Sequence, residues 1–262
     1  MREFFGIGGY QREAEGAWSW QHLTLVIFLM AVMVGLAVLF GLMEKKRDDK
    51  ARNKVMVITA IILLAVEVFK YAVFTVKGYM EEDFDWWQNE LPLFLCSIQL
   101  FTIPLAAFAK GRVKEAAMDF VMIFGILGAV LGTFGATQNY NAYPVISFNN
   151  VISGLTHSIA GFASLYIMIS GLGRLNWKNI WITCTILFAV CAMALGANAL
   201  WDTNYMFLAR HDTTPYQILY DLVGGHEVLY PVGVIVLFLI YIAGFYGVHA
   251  LATRKKKEAV SV

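Results

Sequence analysis

Cysteine is scarce in this chain and none of it is placed for a disulfide or for zinc. Cys96, Cys184 and Cys191 all fall inside long apolar runs, with no CxxC and no pair in a loop. The five histidines, His22, His157, His211, His226 and His249, make no HExxH and no pair at ligand spacing. A glycine-rich phosphate loop following a strand is also missing, so no metal and no cofactor is expected. Charge is low, at 15% of residues, and nearly balanced at +1. With no basic, aromatic-rich face, nucleic acid is excluded as a partner. There is no internal repeat and no low-complexity linker, which predicts one domain over residues 1–262. A short apolar start with a small-residue cleavage site is absent, so no cleavable signal peptide is expected.

What the chain has in abundance is hydrocarbon. Hydrophobic residues make up 59% of it and the mean hydropathy is +0.62. That composition belongs to a protein that crosses a membrane several times, with lipids as its immediate partners. Seven stretches approach the roughly 20 residues that a membrane-spanning helix needs: 21–43, 55–76, 91–109, 116–136, 151–172, 180–200 and 230–251. The predicted fold class is therefore an all-α membrane protein, a bundle of seven transmembrane helices.

Orientation follows from where lysine and arginine fall. Residues 44–54 hold six, 110–115 three, 173–179 two and the C-terminal tail four, which puts 15 on one side. The opposite side holds four: Arg2, Arg12, Lys77 and Arg210. The bias predicts an N-terminus outside and a C-terminus in the cytoplasm. The outer side also carries the elaborate connections, 77–90, 137–150 and 201–229, where function tends to gather.

Two polar groups then stand out by depth. Cys96 in the third stretch and His157 in the fifth each lie about six residues from the outer end, roughly 9 Å below the interface at 1.5 Å per residue. A polar group held at membrane depth is costly and marks a functional site by default. At helical spacing Pro92, Cys96, Gln99 and Ile103 share a face. Taken alone, Cys96 is also what an inert core cysteine looks like; a nucleophilic role needs a base or cation beside it. His157, on a stripe with Gly154, Ser158 and Gly161, is expected to face the bundle interior as such a base or as a structural histidine. In the second stretch Glu67 and Lys70 lie one turn apart, either neutralising each other or offering Lys70 to a thiol or a lipid phosphate.

Other polar and small residues carry plainer expectations. Gly125, Gly128, Gly132 and Gly135 form one flat face of the fourth stretch, a packing surface without chemistry. Asp119 is expected to reach the cytoplasmic interface, and Cys184 and Cys191 to be packing residues. Asn204 and Tyr205, directly after the sixth stretch, offer donors and acceptors at headgroup level, although aromatics belong there in any membrane protein.

Three segments carry a resemblance. Leu91-Pro92-Leu93-Phe94-Leu95-Cys96-Ser97, then Tyr143-Pro144-Val145-Ile146-Ser147-Phe148 leading to Thr156-His157-Ser158, and Thr203-Asn204-Tyr205-Met206-Phe207-Leu208 resemble the YwaF-like integral membrane proteins of bacteria, in order and spacing over nearly the whole chain. Relatives commonly carry a histidine where this chain has Phe94. The resemblance implies a multi-pass protein of the bacterial plasma membrane. It also implies kinship with an animal multi-span protein that moves acyl chains between phospholipids through a membrane cysteine. By that kinship Cys96 would accept the acyl chain and His157 would serve as its base.

The leading expectation is thus phospholipid acyl transfer or acyl hydrolysis from an outer-leaflet pocket. Cys96 and His157 would be catalytic, and Asn204, Lys70, Gln99, Tyr205 and Glu67 would bind substrate. A transporter or channel using Glu67, Lys70, His157 and Asp119, or a non-catalytic lipid-binding receptor or accessory subunit, are the alternatives.

Overall fold

In a computed structural model, residues 2–212 and 214–260 are described, the side chains of 252–260 excepted. The four basic residues of the tail, 254–257, thus lie outside the described side chains. Helices dominate, and no strand occurs among the described residues. In chain order they are α1 (Arg2–Phe5), α2 (Trp20–Glu44), α3 (Asp49–Glu81), α4 (Gln99–Phe108), α5 (Gly111–Leu131), α6 (Thr137–Ala142), α7 (Phe148–Ser170), α8 (Ile180–Trp201), α9 (Gln217–Leu222) and α10 (Leu229–Val260). Among the described residues five segments are long and apolar enough to cross a membrane: Trp20–Glu44, Asp49–Glu81, Phe148–Ser170, Trp177–Trp201 and Leu229–Leu251. On their outsides, large apolar side chains such as Phe28, Leu39, Ile61 and Val68 are exposed, as hydrocarbon-facing helices require.

Two predicted stretches take a different form. Of 91–109, only the ten residues of α4 are helical, because Pro92 opens a run of turns through Ser97 and Pro104 interrupts the backbone ladder further on. Of 116–136, helix α5 covers the first part, and its residues 116–125 are all buried. A helix buried all round is the core of its unit rather than its wall. Asp119 lies in that stretch at 1% exposure, so it is a core residue and does not reach an interface.

The chain forms two compact units, Met1–Arg174 and Leu175–Val262. In the first, α7 is the hub: α5, α2 and α3 all pack on it, and α4 fills the space between α3 and α5. Glycines permit the close approach. Gly161 lies under Met33 of α2 and Ala129 of α5, and Gly154 under Leu29, so an added Cβ would collide with each. Ser19, Asp48 and Ser147 cap the starts of α2, α3 and α7. Arg52 closes the far end of α7, donating to the carbonyls of Ser170 at 3.2 Å and Gly171 at 2.9 Å. His22 is fully buried and structural, accepting the Trp18 N–H at Nδ1 (2.9 Å) and facing the Thr133 carbonyl with Nε2 (3.2 Å).

The second unit holds α8, α9 and α10. After α8 the chain turns through Asp202, Met206 and Phe207 at φ of 49°, 56° and 55°. Non-glycine residues in that region are strained. The turn persists because Asn198, buried in α8, holds it at three points. Its Oδ1 accepts from the Tyr205 N–H at 2.6 Å and the Thr203 hydroxyl at 3.0 Å, and its Nδ2 donates to the Tyr205 carbonyl at 3.1 Å. Asn198→Ala is expected to destabilise this unit by about 3 kcal/mol, since it orphans buried groups and releases the strained turn. Thermal unfolding in detergent checks this, with Asn176→Ala, at an exposed turn, as the mild comparison.

Candidate active site

In the first unit, the turns that replace the start of the third stretch set Cys96 on a short 3₁₀-like step just before α4. The Gln99 N–H bonds the Cys96 carbonyl at 3.3 Å and the Leu100 N–H bonds the Ser97 carbonyl at 3.0 Å. His157 comes from the middle of α7. The two side chains are neighbours: the Cys96 thiol and the His157 imidazole lie within electrostatic reach of each other, and Ser97 stands beside the sulfur. Both residues are half-buried, so the pair is enclosed yet reachable.

The orientation of the imidazole is fixed from behind. Its Nδ1 lies 2.7 Å from the Ser153 carbonyl, one turn earlier in α7. A carbonyl only accepts, so Nδ1 carries the hydrogen and donates it. In the neutral ring that leaves Nε2 with the lone pair, the form needed to take a proton from a thiol.

Helix α5 supplies the floor. A Cβ on Gly128 would stand 3.2 Å from the Cys96 Cβ, and one on Gly132 would stand 1.9 Å from His157 Cδ2 and 2.0 Å from Nε2. These two glycines, one turn apart at the end of α5 with Gly132 as its C-cap, therefore seat the two members of the pair. Gly125, Gly128 and Gly132 face neighbouring residues, as their spacing predicts, and the last two also shape the site, whereas Gly135 lies beyond α5 and meets only the backbone of Leu131. Farther along the same face, Gly125 meets the Ala160 carbonyl and Ser164.

Beside the pair stands a charged cluster. Lys70 Nζ lies 2.7 Å from Glu67 Oε1 and 3.3 Å from Glu90 Oε2, and Lys70 is within electrostatic reach of His157. The Tyr71 hydroxyl donates to the Glu90 carbonyl at 2.5 Å, tying the loop that bears Glu90 to α3. Burial, working against the pull of Lys70, keeps the Glu90 carboxyl above its ordinary range. An ammonium bracketed by two carboxylates is already neutralised, and the trio is left net negative when all three are charged. Lys70→Met is expected to cost on the order of 3 kcal/mol by leaving carboxylates uncompensated. Glu90→Gln should cost under about 1 kcal/mol, because its charge is already disfavoured by burial. Equilibrium unfolding of the two variants side by side measures the asymmetry.

The remaining candidates fall elsewhere. Gln99 begins α4, one turn from Cys96, and is 1% exposed. Asn204 and Tyr205 belong to the second unit and are organisers of its loop. Asn204 donates to the Arg210 carbonyl at 2.8 Å and to Asp212 Oδ2 at 2.5 Å, and its Oδ1 accepts from the Ala209 and Arg210 N–H groups. Tyr205 is 1% exposed. Glu90, Gly128, Gly132 and Ser153 are site residues that the sequence did not single out for chemistry. Cys191 is buried and Cys184 half-buried. Among the described residues no cluster of His, Cys, Asp and Glu is placed to hold a metal ion.

No curated protein and no solved structure matches the chain. The profile of the TMEM164 family matches residues 17–246, and the chain belongs to that family of multi-span membrane proteins.

Proposed function

We propose that this TMEM164-family protein moves acyl chains on phospholipid or lysophospholipid, with Cys96 as the acyl-accepting nucleophile and His157 as its base. The observation that carries the proposal is the juxtaposition of the two groups, with His157 Nδ1 donating to the Ser153 carbonyl and Nε2 left to take the thiol proton. Nε2 takes that proton as sulfur bonds to the ester carbonyl carbon. When the tetrahedral adduct collapses, the carbon–oxygen ester bond breaks, the imidazolium returns its proton to the departing lipid hydroxyl, and the acyl chain is left as a thioester on Cys96. A lysophospholipid hydroxyl, or water in the hydrolytic case, then gives its proton to His157, attacks the thioester and releases the thiol.

The proposal includes an arrangement in the membrane. Helix α4 with its turn-rich approach, and the buried α5, complete seven crossings of a single domain. The basic loops lie in the cytoplasm of a bacterial cell and the pair opens toward the outer leaflet. Lys70 balances Glu67 and Glu90 instead of gripping phosphate, and Asn204 shapes a loop. The internal neutralisation of Lys70 also weighs against an ion path through Glu67 and Lys70.

Acyl exchange in liposomes tests the proposal. The full-length protein is reconstituted with a mass-labelled phospholipid donor and a lysophospholipid acceptor across several headgroups. Label appearing on the acceptor supports it. Intact donor under all headgroups, with solute counterflow through the same vesicles, would replace it with transport.

A further inference from the structure

Acyl transfer needs a group that the Cys96–His157 pair does not supply. When sulfur adds to an ester carbonyl, the π electrons move onto oxygen, and the resulting oxyanion requires a hydrogen-bond donor already in place. The donors that sequence suggests are engaged. Lys70 is bracketed by Glu67 and Glu90, and both ends of the Asn204 amide are bound within its own loop.

Gln99 is different. Its side chain is 1% exposed, and its Oε1 accepts from the Thr102 hydroxyl at 3.0 Å. Its Nε2 is buried and finds no acceptor among the described residues. A buried donor without a partner costs stability, and natural structures keep few of them. The backbone sets this residue one turn from the nucleophile. The 3.3 Å bond from the Gln99 N–H to the Cys96 carbonyl closes a three-residue turn, in which side chains at i and i+3 eclipse. Helical Cα–Cβ bonds also lean toward the N-terminus, the direction of Cys96 from Gln99. Thr102, one turn further on, holds Oε1, so the unused end of the amide is its donor end.

We propose that Gln99 is the oxyanion donor of the Cys96 reaction, its Nε2–H receiving the carbonyl oxygen of the ester as negative charge develops there. The assignment rests on the acyl-transfer reading above and adds the residue that stabilises its charged intermediate. As the thiolate attacks, the sulfur–carbon bond forms and the carbonyl pair moves to oxygen, where Gln99 holds it. The pair then re-forms the carbonyl while the ester's carbon–oxygen bond breaks, and the leaving alkoxide takes the proton from His157. The same hydrogen bond serves the second attack on the thioester. In the resting protein the donor has no partner because its partner is the substrate oxygen.

Two rates measured on one thiol test this. Iodoacetamide alkylates Cys96 by displacing iodide, with no oxyanion, whereas a long-chain 4-nitrophenyl ester acylates it through one. Full-length protein in detergent is used, with the signal of Cys96→Ala subtracted to remove Cys184 and Cys191. Gln99→Met, close in length and lacking the donor, is expected to lower acylation by about 10²- to 10³-fold. Alkylation should stay within about twofold of wild type, because that reaction develops no oxyanion. Its melting temperature should equal or exceed that of wild type, since an orphaned donor is removed. Gln99→Asn, which withdraws the amide by one methylene, should show the same split and serves where the methionine variant folds poorly. Acylation at the wild-type rate in either variant would overturn the assignment, and so would an equal fall in both rates. If wild type is alkylated but never acylated, the acyl-transfer reading fails and Gln99 falls with it. If wild type is acylated and Gln99→Met keeps pace, only the assignment of Gln99 is lost.

Discussion

Cys96→Ala is expected to reduce acyl exchange at least 10³-fold, His157→Ala to reduce it 10²- to 10⁴-fold, and the double variant to be no worse than Cys96→Ala. The first loss follows from removing the sulfur that the proposal makes the acyl carrier. The second follows from the geometry of the imidazole: its Nδ1 hydrogen is committed to Ser153 at 2.7 Å, so Nε2 is the site that moves protons. Non-additivity is the diagnostic feature. Two residues that act in one step lose the same step when either is removed, whereas residues in separate roles multiply their losses. Exchange measured at equal folded protein, with Cys191→Ala as a packing control, reads all of this in one series. Additive losses would separate His157 from the thiol.

Gly132→Ala carries the second large effect. Its added Cβ would fall 1.9 Å from His157 Cδ2, 2.0 Å from Nε2 and 2.6 Å from the Gly128 carbonyl oxygen, so the ring and the end of α5 must both shift. Displacement of a catalytic group by about 1 Å costs on the order of 10²-fold in rate, while the overpacking costs about 1–3 kcal/mol. The variant should therefore remain folded and lose most exchange. Gly128→Ala should be far milder, since its nearest neighbour, the Cys96 Cβ, stands at 3.2 Å. Gly35→Ala meets nothing within 4 Å and should be neutral or slightly stabilising, because alanine is the better helix former. A Gly132→Ala protein with full exchange would remove the seating role from α5.

Some of this was legible in the chain and some was not, for physical reasons. Cys96 and His157 stand out because a polar side chain inside an apolar run has no cheap explanation. Their shared depth permitted a common neighbourhood without requiring it. The seats beneath them did not, because Gly128 and Gly132 have the spacing of any close-packed helix, and only the facing side chains reveal what sits there. Glu90 was lost among the acids of 81–90, where nothing in composition separates the carboxylate that returns to Lys70 from those in the open. Asn204 and Lys70 show what a sequence leaves open, although the Glu67–Lys70 spacing already pointed to a neutralised pair. Each is a well-placed donor in sequence, and each is already satisfied by neighbours: Arg210 and Asp212 in one case, Glu67 and Glu90 in the other. Hydropathy located the long apolar helices well but could not see that 91–98 would turn instead of spiral, which is what Pro92 brings about. That departure matters most, since it sets Cys96 on the turn that leads into Gln99 and α4.

Intact-protein mass spectrometry of the reconstituted protein, quenched in acid during turnover with labelled phospholipid, addresses the covalent claim most directly. The account predicts a mass increase equal to one acyl chain, mapped to the peptide containing Cys96, removed by neutral hydroxylamine and absent from Cys96→Ala. Exchange that proceeds with no acyl chain on Cys96, or that survives in Cys96→Ala, would contradict it.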